Sequence, residues 1–295
     1  MKILITGAGG FIGFSLAKDI LLNNKNVEIY GVDNFDNYYS KKIKFKRINN
    51  LKKFKKFKFV KIDITNRSKV LNTFKKIKFK YIVHLAAQAG VRYSIDNPQK
   101  YLDINIFGFI NILDATILNK PKLCLYASSS SVYGDTKKLP ATEEQKLDPI
   151  NIYAMTKKTN EIIAKFYSNY YNLNFVGLRY FTVYGEWGRP DMFLFKLFKA
   201  FHNKDFFYLN NAGKHKRDFT YIKDAVLFTK KILFTKKFKK QNLVFNICSN
   251  NPLQINKIVD FFYKEIGKVK VKNIKRNRLD VKVTHGNNVL VKRFT

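Results

Sequence analysis

Tyr153 and Lys157 stand four residues apart in a stretch, Ile152 to Tyr170, that has the pattern of a helix. Side chains at this spacing leave the same face of a helix. A free tyrosine has a pKa of ~10 and is a poor base at neutral pH, but a nearby ammonium favours the phenolate and lowers that pKa. The pair therefore predicts a general base. The spacing also occurs by chance in a chain rich in both residues, as at Tyr38 and Lys42.

Four consecutive serines, Ser128 to Ser131, follow a short apolar run, Leu123 to Ala127. Hydroxyls at the end of a buried strand can bind the oxygen from which a base removes a proton. A serine-rich loop without a chemical role is the alternative interpretation. The order of strand, serines and Tyr-x-x-x-Lys favours the catalytic one.

The first thirteen residues, MKILITGAGGFIG, indicate a strand, a glycine turn and the start of a helix. Gly7, Gly10 and Gly13 recur every third residue, and an amphipathic stretch follows from Phe14 to Leu22. Glycines in such a turn allow tight bending, close approach of a pyrophosphate and close packing of the helix on the strand. The helix N-terminus offers free N–H groups to the phosphates. Because turns are rich in glycine, the triplet alone is a weak sign of a dinucleotide site.

Val27 to Val32 predicts a second strand, and Asp33 follows it, 20 residues after Gly13. An acidic residue at this place binds the adenosine ribose in dinucleotide sites. The next arginine is Arg47, so a 2′-phosphate has no obvious partner and we predict NAD rather than NADP. A turn aspartate that only caps its strand is the alternative.

Strands and helices continue to alternate along the chain. We predict strands over 57–62, 81–85 and 123–127, and helices over 41–56, 68–76, 98–118 and 152–170. This alternation indicates βαβ units and a parallel sheet that binds its ligands at the carboxyl ends of the strands. Asp63 follows one such strand and could face an adenine or, equally, cap the next helix.

The chain has 295 residues, 46% of them hydrophobic, which suffices for a large core in one or two closely joined domains. No apolar run approaches the ~20 residues of a membrane span, and strand residues begin too early for a signal peptide. Cys124 and Cys248 lie in apolar segments, so we expect buried free thiols in a reducing cytoplasm. We predict no metal site.

Lysine and arginine number 56 against 21 acidic residues, which gives a net charge of +35. Such a field attracts phosphates and nucleic acids non-specifically. The lysines cluster at 41–47, 52–58, 75–80 and 230–240, where they alternate with Phe and Ile as on amphipathic surfaces. AT-rich codons explain this composition as well as function does. We therefore predict solvated surface rather than a dedicated nucleic-acid site.

These features together resemble the extended short-chain dehydrogenase/reductases that act as nucleotide-sugar epimerases and dehydratases, and within them the UDP-glucuronate 4-epimerases. The resemblance covers nearly the whole chain. Five segments carry it: 32–39 (VDNFDNYY), 84–92 (HLAAQAGVR), 126–134 (YASSSSVYG), 179–192 (RYFTVYGEWGRPDM) and 216–224 (KRDFTYIKD). It implies an α/β fold with a Rossmann doubly wound parallel sheet over 1–178. A smaller C-terminal α/β substrate domain covers 179–295, with some segments returning to the sheet.

The resemblance also implies roles for residues at matching positions. The catalytic residues are Tyr153 as the base, Lys157 as its activator, and Ser129. The NAD-binding residues are Gly7, Gly10, Phe11, Ile12, Gly13, Asp33, Asn34, Asp63, Ile64, Leu85, Ala86, Ala87, Asn105, Tyr153 and Lys157. The substrate-binding residues are Arg92, Ser130, Ser131, Thr182, Arg189 and Arg217.

Among these, Thr182 and Arg189 are implied to hold a sugar carboxylate together with the serines, while Arg217 pairs with the UDP phosphates. A planar guanidinium suits a carboxylate bidentately. Ordinary surface salt bridges are the alternative for both arginines. Ser130 and Ser131 stand where related 4,6-dehydratases carry Asp-Glu, which argues against dehydration.

The implied activity is NAD-dependent epimerisation at C4 of UDP-glucuronate through a transient 4-keto sugar, with a role in polysaccharide biosynthesis. The resemblance further implies a homodimer through 98–118 and 153–170, without a membrane or a specific nucleic-acid partner. A UDP-glucose 4-epimerase and a UDP-glucuronate decarboxylase are alternatives, as is an inactive basic protein that binds nucleotides or nucleic acid. Members of this group continue beyond the segment that matches 280–288, so we expect the substrate domain to lack a C-terminal piece.

Overall fold

A computed structural model describes residues 1–235, 242–275 and 279–295 of the chain. The strands are β1 (Lys2–Thr6), β2 (Glu28–Asp33), β3 (Phe57–Lys61), β4 (Tyr81–His84), β5 (Leu123–Ser129), β6 (Phe175–Tyr180), β7 (Thr182–Tyr184), β8 (Phe206–Asn210), β9 (Lys216–Tyr221), β10 (Asn242–Ile247), β11 (Pro252–Gln254) and β12 (Lys270–Ile274). The helices are α1 (Phe11–Asn23), α2 (Lys41–Lys52), α3 (Arg67–Lys76), α4 (Tyr93–Asp96), α5 (Pro98–Tyr101), α6 (Gly108–Asn119), α7 (Ile152–Tyr171), α8 (Phe193–Asn203), α9 (Ile222–Phe234), α10 (Ile255–Glu265) and α11 (Val289–Phe294).

Seven parallel strands form the central sheet in the order β10-β6-β5-β4-β1-β2-β3. Strands buried on both faces carry nearly continuous apolar runs, and Ile3, Leu4 and Ile5 of β1 are fully buried. β1 pairs with β2 on one side and with β4 on the other, so the strand order reverses there. In open α/β sheets, ligands bind at such a reversal, outside the carboxyl ends of the strands. The predicted Rossmann doubly wound fold is confirmed.

Two smaller sheets lie in the second half of the chain, with the strand orders β11-β9-β7 and β12-β8. They share a separate apolar core with α8 and α10, in which Leu197, Phe207 and Phe262 are buried. β10 returns to the central sheet, where it pairs with β6. The division at residue 178, which falls within β6, stays a prediction.

The predicted helix over 98–118 is interrupted. A π-helical segment, Leu102–Phe107, joins α5 to α6 and contains the buried Asn105. Segments of π-helix are rare and occur often at functional sites. The sequence pattern did not reveal this π-helical segment. Its wider turns shift the register of the helix by only one or two residues, so the apolar pattern before and after the segment still looks helical.

The stretch Pro98–Asn119 is long and apolar enough, by length and composition, to cross a membrane, and half of its most apolar window is buried inside the protein. The prediction concerned unbroken apolar runs, and Lys100, Asp103 and Asp114 interrupt this stretch. A mostly buried helix of a protein core passes the same test, so the finding is weak evidence for a membrane span.

Lys44 and Arg47 of α2 are buried, so the prediction of solvated surface for 41–47 is wrong for these two residues. Residues 236–240 of the cluster 230–240 lie outside the described residues. Cys124 and Cys248 are buried free thiols, as predicted.

Candidate active site

A cavity of about 1000 Å³ opens at the carboxyl edge of the central sheet. The loops that follow β1, β2, β4 and β5 line one side, and segments of the smaller sheets line the other. This volume lies at the upper end of the usual range for small-molecule sites. All the predicted site residues line it except Asn105. The structure thus brings together residues that are far apart in the sequence.

The glycine turn has the tight geometry predicted for it. Gly7 has a φ of +71°, and a Cβ there would lie 2.8 Å from the backbone nitrogen of Ala86. A Cβ on Gly13 would collide with the carbonyl oxygen of Gly7, so glycine lets α1 pack closely on the turn. Gly10 caps α1 without a side chain, and the first turn holds no acidic residue. The free N–H groups at this helix end therefore fit a diphosphate.

Asp33 lies in the cavity wall beside the glycine turn. Its carboxylate accepts hydrogen bonds from the backbone N–H groups of Gly9, at 3.0 Å, and Phe35, at 2.8 Å. Burial raises the pKa of this carboxyl, against the opposing effects of these bonds and of the charges on Lys44 and Arg47. Asp33 therefore fixes the end of its strand and the glycine turn, which is the structural role given as the alternative to ribose binding. Its contact with a ribose stays a prediction.

Arg47 is the first arginine after Asp33, and its guanidinium already forms hydrogen bonds to other groups of the protein. It donates to the carbonyl of Gly9 and the hydroxyl of Tyr39, both at 2.9 Å. It also donates to the carbonyls of Trp187 and Gly188. An arginine that serves four acceptors of the protein is not free for a 2′-phosphate, so the residues fit NAD better than NADP.

Asp63 joins the ends of two neighbouring strands. Its carboxylate accepts a hydrogen bond from the Asn34 side chain at 2.8 Å and another from the backbone of Thr65 at 2.9 Å. Helix α3 is capped by Asn66, whose side chain accepts from the N–H of Lys69. The alternative that Asp63 caps this helix is therefore wrong.

Asn105 lies behind the cavity wall rather than in it. Its side chain accepts from the N–H of Gln88 at 2.8 Å and donates to the carbonyl of the same residue at 3.1 Å. It also donates to the hydroxyl of Thr156 on α7 at 3.1 Å. Asn105 therefore fixes the loop after β4 against the helix that carries Tyr153, whereas a direct contact with the cofactor was predicted.

Tyr153 lies beside the serines, and burial raises the pKa of its phenol. A hydrogen bond with Ser129 and the charge of Arg189 act in the opposite direction. Lys157, one turn further along α7, donates to the carbonyl of Ala127 at 2.9 Å, and burial lowers its pKa to about 8. Its role as an activator stays a prediction.

Glu161 and Arg179 form a buried ion pair behind the serines, which the sequence did not reveal. The Arg179 guanidinium donates to both carboxylate oxygens of Glu161, at 2.9 and 2.7 Å. Ser128 also donates to this carboxylate. Glu161 follows Lys157 by four residues on α7, so the spacing of 153, 157 and 161 was a signal for a shared helix face. The pair fixes α7 against the ends of β5 and β6.

His84 is a buried group that stays neutral. Its Nδ1 lies 2.8 Å from the hydroxyl of Thr6, which also accepts from the N–H groups of Leu85 and Ala86. Burial, together with the charge of Lys157, lowers the pKa of His84 to about 3. The ring thus joins the ends of β1 and β4 without adding a second positive charge.

Arg189 lines the cavity, but it is already paired with a carboxylate of the chain. Its Nε donates to Oδ1 of Asp191 at 3.0 Å, and its Nη2 donates to Oδ2. Tyr38 donates to the same Oδ2 at 3.1 Å. The predicted bidentate grip on a substrate carboxylate is therefore wrong for the Nε–Nη2 edge of the guanidinium, because Asp191 occupies it.

The other predicted substrate residues surround the same space. Ser130 and Ser131 begin the short helical turn after β5, and the N–H of Ser131 donates to Ser129 at 3.2 Å. Thr182 begins β7. Arg92 pairs with Asp280 at 2.7 Å. Arg217 donates to the carbonyl of its own neighbour, Lys216, at 2.9 Å.

Comparison with known proteins agrees with this geometry. The model of the NAD-dependent epimerase/dehydratase family matches residues 3–248. The chain is 41% identical over 291 residues to Protein CapI of Staphylococcus aureus. The matched region covers 92% of this chain and 86% of that protein. It is 38% identical over 283 residues to a UDP-glucuronate 4-epimerase of Thermodesulfobacterium geofontis, which covers 95% of this chain and 86% of that one.

Among solved structures, the chain is similar to the UDP-glucuronic acid 4-epimerase from Bacillus cereus in complex with UDP-glucuronic acid and NAD. The TM-score is 0.93 at 32% sequence identity, and the match covers 100% of this chain and 92% of that one.

Proposed function

The chain belongs to the NAD-dependent epimerase/dehydratase family, and on that basis we propose that it interconverts UDP-glucuronate and UDP-galacturonate by epimerisation at C4. One observation carries the proposal. Tyr153, Ser129 and Arg189 line the same cavity, and the charge of Arg189 acts on the pKa of the Tyr153 phenol. A base and a cation suited to a carboxylate therefore face the same small volume.

In this proposal, Tyr153 removes the proton of the C4 hydroxyl and later returns it. Ser129, which hydrogen-bonds to Tyr153, holds the same sugar oxygen and keeps it in line with the base. Lys157 has a pKa of about 8 and therefore stays mostly charged at pH 7. NAD, when bound, supplies the acceptor and donor for the hydride at C4.

The glycine turn and Asp33 would hold the cofactor at one end of the cavity, and Arg217 would hold the diphosphate of the UDP-sugar at the other. Ser130, Ser131 and Thr182 offer hydroxyls to the sugar carboxylate. The volume of about 1000 Å³ leaves room for the sugar to present its other face before the hydrogen returns to C4. The chain's own contribution is positioning and electrostatics.

The test is a proton NMR time course of purified protein with UDP-glucuronate and no added NAD, run beside Tyr153→Phe. We expect UDP-galacturonate with the wild type alone, because the cofactor is regenerated in each turnover and stays bound. A UDP-pentose product would instead indicate a decarboxylase. Conversion of UDP-glucose but not of UDP-glucuronate, even with NAD added, would contradict the proposal.

We also propose that two copies of the chain form a dimer through one face of α7. Met155, Ile162, Phe166 and Tyr170 are exposed apolar residues on this helix, spaced by seven, four and four residues. Phe107, in the neighbouring π-helical segment, is exposed as well. Several exposed apolar side chains on one helix face are typical of a contact site between proteins.

Phe166→Glu would place a charge at the centre of that face. We expect light scattering after gel filtration to give the mass of a monomer for this variant and of a dimer for the wild type. Phe261→Glu is the matched control, because Phe261 is a similarly exposed phenylalanine on α10. A wild-type monomer would contradict this part of the proposal.

A further inference from the structure

Asp191 holds Arg189 by one edge only. The two bonds use Nε and Nη2, so Nη1 takes no part in the pairing with Asp191, and the guanidinium also interacts with the hydroxyl of Tyr38. The side chains are 22% and 23% exposed, so solvent screens the pair only in part. A ligand in the cavity therefore meets a guanidinium whose Nη1 is not used by Asp191 and whose charge is partly offset by that carboxylate.

Tyr38 fixes Asp191 by donating a hydrogen bond to its Oδ2. Its ring lies 5.0 Å from that of Tyr93, and its hydroxyl fills the place where a Cβ on Gly90 would lie. Burial, reinforced by the charge of Asp191, raises the pKa of Tyr38 to about 12, so the hydroxyl remains a donor. Asp191 thus has two defined partners and little freedom to move.

An unpaired arginine at this place would bind a substrate carboxylate through two parallel bonds and with its full charge. Such a grip would stabilise one orientation of the bound sugar. Interactions that stabilise the bound ground state as well as the transition state do not raise kcat. A 4-epimerase must moreover let the sugar present both faces, so a tight grip on one orientation slows the reaction.

We propose that Asp191, held by Tyr38, is a positioning and specificity-determining residue: it orients Arg189 and offsets its charge, so that a sugar carboxylate is bound by the Nη1 end alone and can be released between the two half-reactions. This inference rests on the proposed function. It assigns to Asp191 an action through Arg189 and no contact with the reacting atoms.

The test measures both affinity and turnover in Asp191→Asn. The dissociation constants of UDP-glucuronate and UDP-glucose are followed through the fluorescence of Trp187, the single tryptophan of the chain, which lies two residues from Arg189. We expect the variant to bind UDP-glucuronate about tenfold more tightly, since the compensating charge is lost, and to bind UDP-glucose unchanged. We also expect kcat and KM for UDP-glucuronate to fall together.

Two further variants separate positioning from a general loss of structure. Tyr38→Phe leaves both charges in place and should shift the ratio of the two affinities in the same direction by a smaller factor. Asp114→Asn is the matched control: Asp114 also accepts from one arginine, Arg67, and one tyrosine, Tyr167, and its side chain is 20% exposed. It lies outside the cavity, so neither affinity should change.

An unchanged or reduced preference of Asp191→Asn for UDP-glucuronate would overturn the inference. So would a higher KM with a lower kcat, which is the expected result if Asp191 only maintained the local structure. Failure of the proposed function would be visible in the wild type, as absence of UDP-glucuronate turnover, and is therefore distinguishable from failure of the inference.

Discussion

Arg47→Met should uncouple the glycine turn from the loop that carries Arg189. Arg47 is fully buried and donates to the carbonyls of Gly9, Trp187 and Gly188. It thus ties the cofactor side of the cavity to the substrate side. Methionine fills a similar space but donates nothing, so three carbonyls, two of them in buried bonds, lose their partner.

The expected cost follows from these bonds. A buried acceptor left without a hydrogen-bond partner costs ~1–3 kcal/mol. Three carbonyls would therefore cost ~3–9 kcal/mol if none of them found a new partner. The desolvation of Arg47, which lowers the pKa of its guanidinium, is recovered in the variant. The loop can also relax toward water. We therefore expect a loss of ~3 kcal/mol in the free energy of unfolding, the lower end of that range.

Urea unfolding followed by circular dichroism measures this loss, and Trp187 reports on the loop itself. Its ring lies 5.2 Å from that of Phe14 on α1, so release of the loop should make its fluorescence easier to quench by acrylamide. Arg67→Met is the control, because Arg67 is 56% exposed and its pairing with Asp114 is worth at most ~1 kcal/mol. Equal stability of the two variants, with unchanged quenching of Trp187, would contradict this prediction.

Two further predictions concern titration. Ser129→Ala removes the hydrogen bond that lowers the pKa of Tyr153, so we expect this pKa to rise. The ascending limb of the pH profile of kcat/KM should then move to higher pH. A limb that does not move would count against Ser129 as the hydrogen-bonding partner of the base. His84 has a pKa of about 3 in the fold, below its ordinary value of ~6.5. Its neutral form therefore stabilises the fold fully above pH 6.5, and that stability is lost as the pH falls from 6.5 toward 3. The loss amounts to ~1.4 kcal/mol per pH unit, or ~2 kcal/mol between pH 6.5 and 5. Urea unfolding at both pH values should show this loss for the wild type and not for His84→Asn, and equal slopes would contradict it.

The order of strands and helices could be predicted from the sequence, because buried parallel strands leave continuous apolar runs and amphipathic helices leave a clear period. The predicted strand over 57–62 and helix over 68–76 agree with β3 and α3 to within one residue at each end. The site residues could be predicted because they come directly after these strands. What the sequence did not show is how the groups pair within the site.

Three corrections illustrate this limit. Arg47 stands in a lysine-rich helix whose pattern indicates a solvated surface, and only the tertiary fold places a carbonyl-lined pocket around it. Asp191 pairs with Arg189 across two residues of a loop, where no helical spacing predicts the contact. The pKa of Tyr153 depends on burial, which the sequence does not measure, and burial outweighs its favourable partners.

In the proposed function, Tyr153 acts on the C4 hydroxyl while the hydrogen on C4 leaves and returns within the cavity. The most direct test is the proposed epimerisation run in D₂O, with proton NMR and mass spectrometry of the UDP-galacturonate formed. We predict that the product keeps ordinary hydrogen at both C4 and C5, since the hydrogen moved never reaches solvent. Deuterium at either carbon would contradict the account, because it would mean that a proton was removed from carbon and exchanged with water.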